Sequence, residues 1–207
     1  AWDAGSSTVT NDDGSIDSEV RANPSAGFSV VTFTPSTDSS VGHGLNTTPG
    51  VVIYKNREAS GKWRFHHKDV GVSKTLYFEA EDEDANTDRV TAVTSTTFTV
   101  GAINAGDDHI AFCWSEIPGY SRISSYAGNG GKIFICTGFK PAMVFLKQTT
   151  GGNHWYIFDH KRASYLVPSN DAEELGTDFS DHELLSNGFS FDTNNAAVNG
   201  SGDTYAF

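Results

Sequence analysis

The sequence predicts an all-β protein made of two tandem antiparallel β-sandwich repeats of jelly-roll type. Three observations lead there. First, a hairpin-like stretch is written twice: Pro49, Lys55 and Trp63 recur 92 positions later as Pro141, Lys147 and Trp155. In both places a short apolar run ends at the Lys, a polar loop with Gly follows, and the Trp opens a second run, which is the local pattern of a β-hairpin. Second, 21 glycines, frequent Ser, Thr, Asn and Asp, and only 37% hydrophobic residues describe short strands joined by turns. Third, 207 residues with a repeat of this length leave each half enough chain to bury its own core. A single merged sandwich or barrel with internal pseudo-twofold symmetry is the competing arrangement and requires more long-range crossings.

The elements follow in order. Residues 1–26 are rich in Ser, Thr, Asp and Gly and hold little to bury, so they are expected to be an extended linker or the end of a preceding repeat. The first repeat is expected over 27–118. It opens with a strand at 27–34 whose Phe28, Val30 and Thr32 face one side and Val31 and Phe33 the other, so both faces are partly apolar. That suits a sandwich interior or a subunit contact. Strands at 51–54 and 63–67 form the first hairpin, with Trp63, Phe65 and His67 on one face and Arg64 and His66 on the other. Further strands are expected at 75–78, 96–100 and 109–114, with a carboxylate-rich loop at 79–88.

The second repeat is expected over 119–207. Residues 119–126 answer the strand at 27, 133–139 answer the region of Gly44 and Leu45, and 186–191 and 198–207 answer 95–100 and 103–112. The stretch 162–182 is irregular, and Ser180 is placed to cap a turn of helix through 181–185. The chain begins Ala1-Trp2-Asp3, ends Ala206-Phe207 and has Met143 as its single methionine, as expected of a fragment of a longer tandem array.

A formal net charge of −12 argues against a nucleic-acid partner, whose phosphates need Lys and Arg. No run of about 18 apolar residues occurs, so no helical membrane span or insertion is expected. Cys113 and Cys136 are too few for a disulfide framework and are read as free thiols, with a bridge open only if their backbones meet.

His43, His66 and His67, with His154, Asp159 and His160 in the second copy, suggest a transition-metal site. However, His67 aligns with Asp159 and His66 with Phe158, and adjacent histidines on a strand point to opposite faces. Asp82, Asp84, Asn86 and Asp88 start like a calcium loop, which then lacks the glycine and carries Val93 where a bidentate Glu is needed. Asp159, Glu173, Glu174 and Asp178 could supply carboxylate pairs for glycoside cleavage, a chemistry defined by separation in space rather than in sequence. No nucleophile elbow or phosphate loop is present. Trp63 and Trp155 are candidate sugar-stacking platforms, set against packing within their hairpins. No catalytic, cofactor-binding or metal residue is assigned. Because Pro, Lys and Trp keep register while the polar residues around them differ, the repeat reads as scaffold. Recognition is then expected where the copies differ, at 79–88 and 162–182.

The run from Ala1 to Asn11, the run from Val20 to Thr32, Val41-Gly-His-Gly-Leu45, Pro118-Gly-Tyr-Ser121 and Tyr126-Ala-Gly-Asn-Gly130 together resemble an uncharacterised tandem-repeat β module of tailed-bacteriophage virion proteins. Similar segments occur in large tail-fibre-like proteins. The resemblance implies a non-enzymatic structural or adhesion component of the virion, assembled in the host cytoplasm and exposed outside the cell. It also implies a homo-oligomer, a trimer being common among phage fibres, with other virion proteins and host-surface glycans as partners. A carbohydrate-binding or carbohydrate-cleaving domain and a capsid decoration protein are the competing functions.

Overall fold

The computed structural model describes residues 2–78, 83–84, 90–101, 104–162, 164–168 and 182–207. Those residues form strands and turns and no helix. The strands of the first half are β1 (Val9–Asn11), β2 (Ser18–Asn23), β3 (Phe28–Phe33), β4 (Ser39–Gly42), β5 (Val51–Asn56), β6 (Arg64–His67), β7 (Thr75–Tyr77), β8 (Glu83–Asp84), β9 (Val90–Val93), β10 (Thr97–Val100) and β11 (His109–Trp114). Those of the second half are β12 (Ser125–Ala127), β13 (Lys132–Cys136), β14 (Met143–Gln148), β15 (Trp155–Asp159), β16 (Tyr165–Leu166), β17 (His182–Leu185), β18 (Gly188–Asp192) and β19 (Thr204–Ala206). By contact the chain divides into two compact units. Unit 1 is Ala1–Tyr77 with Asp84–Ile117, and unit 2 is Phe78–Glu83 with Pro118–Phe207.

In unit 1 a large sheet runs β1-β2-β3-β11-β5-β6-β7-β8 and a small one runs β4-β10-β9. Alternation sends every second residue of the large sheet inward. Val31, Phe33, Val52, Tyr54, Ala111 and Cys113 thereby meet Val41, Val90, Phe98 and Val100 of the small sheet in one buried cluster. Phe98 is fully buried and packs edge-on against Phe33, with ring centres 5.7 Å apart. In unit 2 the sheets run β12-β19-β14-β15-β16 and β13-β18-β17. Val144, Leu146, Tyr156, Phe158 and Tyr205 of the larger sheet meet Ile135, Phe189 and Phe191 of the smaller. Both units are thus two antiparallel layers closed on an apolar core.

The strand order is the same in both. Setting aside β1, β2 and β8 and ranking the rest by position within each unit, the large sheet runs 1-8-3-4-5 and the small sheet 2-7-6 in each. The two written hairpins occupy ranks three and four. β5 and β6 pair from Val51↔His67 to Tyr54↔Arg64, and β14 and β15 from Met143↔Asp159 to Lys147↔Trp155.

Three expectations need correction. Residues 1–26 are not an extended linker: β1 pairs with β2, and β2 pairs along its whole length with β3. Between β1 and β2 the chain lies along β4, where Ile16 forms a parallel bridge with Val41 and the Ser15 N–H donates to the Ser40 carbonyl at 3.0 Å. Approach is close enough that a Cβ at Gly14 would collide with that carbonyl oxygen. Polar composition misled because a sheet-edge strand needs few apolar residues; here Val20, 1% exposed, supplies the anchor. Residues 119–126 are not one strand either, since only β12 is extended and Gly119 takes a positive φ of 78° in a turn. Over 182–185 the chain is not the expected helical turn but β17, whose Leu184 packs on the unit 2 core; Ser180 and Asp181 lie outside the described residues. A strand ladder satisfies the backbone of so short a segment better than one helical turn does.

Val20→Ala tests the first correction. It should lower unfolding free energy by about 2 kcal/mol in a denaturant titration, whereas a linker residue would change it by less than about 0.5 kcal/mol.

Candidate binding surface

The residues of unit 1's large sheet that do not point into the core form a second, partly exposed apolar face. On β3 these are Phe28 and Val30, on β11 Ile110, Phe112 and Trp114, and on β5 Val51 and Ile53. Register lines them up across the sheet: Trp114 stands opposite Phe28 and Val51, and Phe112 opposite Val30 and Ile53. Phe65 of β6 and Leu76 of β7 continue the row. The rings touch in sequence. Phe28 and Trp114 are 5.0 Å apart, Phe28 and Phe112 are 6.5 Å apart and nearly parallel, and Phe112 and Trp63 are 6.0 Å apart. Trp2 lies against Trp114 at 5.4 Å and remains 54% exposed. At the far end the Lys55 ammonium sits 5.2 Å from the Trp63 ring centre. The Trp114 indole N–H is buried and makes no hydrogen bond among the described residues.

The equivalent face of unit 2 is buried at its Lys147–Trp155 end, while Met143 at the other end is 44% exposed. Lys147 and Trp155, cross-strand partners on β14 and β15, are both buried, and Phe78 and Phe145 pack on Trp155 at 5.8 and 5.2 Å. The Lys147 ammonium donates to the Gln148 carbonyl at 2.8 Å, so backbone oxygens take the place of water around a buried charge. The recurring Lys and Trp therefore hold the same outward positions with different surroundings. Trp155 offers no platform to a sugar. Trp63 is half-buried, and the widely exposed ring of the row is Trp2, which the repeat pattern did not single out.

The histidines do not converge. His66 stands opposite core-facing Val52 and His67 opposite outward-facing Val51, and His67 Nδ1 accepts the Asp69 N–H. His43, beyond β4, accepts the Leu45 N–H at Nδ1 and has Nε2 3.3 Å from the Thr94 carbonyl oxygen. His160 Nδ1 lies 3.1 Å from the Ala142 carbonyl oxygen. Asp159 accepts the N–H groups of Lys161 and Arg162 and pairs with Arg162 at 3.1 Å, a turn-capping arrangement that holds its carboxyl below the usual range. Among the described residues no three His, Cys, Asp or Glu side chains gather as metal ligands would. Glu173, Glu174, Asp178 and most of the 79–88 loop lie outside the described residues. Cys113 is buried on β11 and Cys136 is exposed on β13, and both are free.

Two polar features escaped sequence reasoning. An open cleft of about 410 Å³ is ringed by Asp17, Glu19, Arg57 and Asp108. Its carboxylates have local donors: Thr10 donates to Glu19 at 2.6 Å, and Thr34 donates to Asp108 at 2.7 Å. In unit 2 the fully buried Asn199 donates to the carbonyls of Thr193 and Gly131 and accepts the Asn129 N–H, tying two loops together.

A family model described as a domain of unknown function, DUF7483, matches residues 1–207. The chain belongs to that family. No curated protein and no solved structure matches it.

Burial pushes the His66 imidazole down to about 4, with neighbouring His67 adding repulsion. The folded chain therefore resists a proton that the unfolded chain accepts below about pH 6.5, so stability falls as pH drops from 6.5 towards 4. Between pH 7.5 and 5 the loss from His66 alone should be about 2 kcal/mol, read as a shift in denaturation midpoint that His66→Gln reduces. Burial also pushes the Cys113 thiol up to about 12. A maleimide reagent should label one thiol, Cys136, in the folded chain and two after denaturation.

Proposed function

We propose that this chain is a non-enzymatic structural and adhesion module of a phage virion, part of a tail fibre or another exposed appendage. The aromatic row from Trp2 through Trp114, Phe28 and Phe112 to Trp63 carries this reading. A sheet face of contiguous rings on an otherwise acidic chain suits contact with another protein or a ligand, because stacked aromatics present a large area at small conformational cost. The strand order common to the two units supports treating them as copies of one module. The resemblance to tail-fibre-like proteins supplies the setting: a homo-oligomer, a trimer among its candidate states, bound to other virion proteins and to the host surface. A capsid decoration protein would use the same face towards a shell.

Host glycan is the second reading. The exposed Trp2 ring, resting on Trp114, would stack on a sugar. Binding of the intact chain to host cells and to a glycan array, with Trp2→Ala and Trp114→Ala beside it, tests both. Each substitution should weaken attachment by about tenfold or more while the far-ultraviolet spectrum stays unchanged. Attachment indifferent to both variants would remove the aromatic row from the function, and release of reducing ends from host polysaccharide would overturn the non-enzymatic assignment.

A further inference from the structure

Among the described residues, unit 2 leaves open an edge that unit 1 closes. β4 and β13 hold the same rank, each the outer strand of its small sheet. Along β4 the chain lays its own segment 15–18. Besides the Ile16 bridge, the Ser40 N–H donates to Ser15 Oγ at 3.0 Å, and the Ser18 hydroxyl donates to the Gly42 carbonyl at 2.9 Å. β13 pairs with β18 on one side, and no described segment pairs with the other. The Thr137 N–H donates to the Asn187 carbonyl at 3.0 Å. In an antiparallel ladder hydrogen-bonded and non-bonded pairs alternate, so Ile133 and Ile135 also bond towards β18. The backbone N–H and C=O groups of Lys132, Phe134 and Cys136 therefore face the open side, where the Lys132 carbonyl already accepts one hydrogen bond from the Asn129 side-chain amide at 3.1 Å and keeps its second lone pair.

The same three side chains point away from the core and are exposed, while Ile135 is buried within it. Phe134 is 47% exposed, its ring lying across Gly188 so closely that a Cβ there would come within 2.9 Å. An open edge strand with a protruding aromatic ring is a template for pairing.

We propose that β13 pairs antiparallel with β13 of a second copy of this chain about a twofold axis beside Phe134, joining two small sheets into one. This rests on the reading that the module assembles with its own kind, and it names the surface. Self-pairing suits the residues. The register sets Phe134 against Phe134 of the second copy and Lys132 against Cys136, so no like charges oppose each other. A net charge of −12 resists approach of two copies elsewhere, whereas β13 carries one Lys and no carboxylate. One self-complementary patch suffices for a closed dimer.

Mild oxidation of the full chain tests the register. Lys132→Cys should give a disulfide-linked dimer, because residues 132 and 136 of opposite copies face each other within the span a disulfide bridges. The unsubstituted chain should give none, since its two Cys136 residues lie four strand positions apart. In sedimentation equilibrium, Phe134→Lys should weaken dimerisation by about tenfold or more with an unchanged far-ultraviolet spectrum. Absence of the Lys132→Cys cross-link overturns the proposal. Self-association that Phe134→Lys leaves intact also overturns it, while sparing self-assembly; a chain that is monomeric at every concentration overturns both.

Discussion

The central strand of each small sheet holds its sandwich shut. β10 drives Phe98 and Val100, and β18 drives Phe189 and Phe191, into the layer beneath, all four nearly or wholly out of solvent. Without helices to cover a sheet, apolar faces must be buried sheet against sheet, and a three-stranded lid depends on its middle strand. Phe98 reaches Phe33 at 5.7 Å, and Phe191 reaches Phe158 at 5.4 Å. With the lids fixed, the outer face and the edges of each sandwich are what remain for function.

The units treat that remainder differently. Unit 1 covers the edge of β4 with the segment between β1 and β2 and leaves its outer face as a row of rings. Unit 2 buries the matching Lys147 and Trp155 on its outer face, and among the described residues nothing pairs with the β13 edge. One strand order thus displays two kinds of surface, an aromatic sheet face in unit 1 and, among the described residues, an unpaired strand edge in unit 2. The core pattern places both, while the residues outside it differ from unit to unit.

Polar groups drawn into these layers are handled by backbone. Lys147 donates to the Gln148 and Gly151 carbonyls, His43 bridges Leu45 and Thr94, and Asn199 ties 129–131 to 193. Such groups fix loop geometry because each lost partner would leave a buried dipole or charge unsatisfied. His66 is the costly member, buried and held neutral, and it makes the first hairpin sensitive to acid.

Alternation and turn composition alone determined the all-β class, the two hairpins, the opposite facing of Phe28 and Val31, and the split between His66 and His67. These rest on the period-two geometry of a strand, which is local. Paired strands at 9–23 were hidden, because an edge strand anchored by Val20 and Ile16 reads as polar sequence. The turn at 119 and the strand at 182–185 were hidden because the ladder partner, not propensity, decides so short a segment. The aromatic row left one trace, the two-sided apolarity of 27–34; its members come from residues 2, 28, 63, 112 and 114, which only strand register brings together. The fates of Lys55 and Lys147 were likewise decided by tertiary structure. The two share a sequence context, and burial is set by what packs above each position, which no single hairpin encodes.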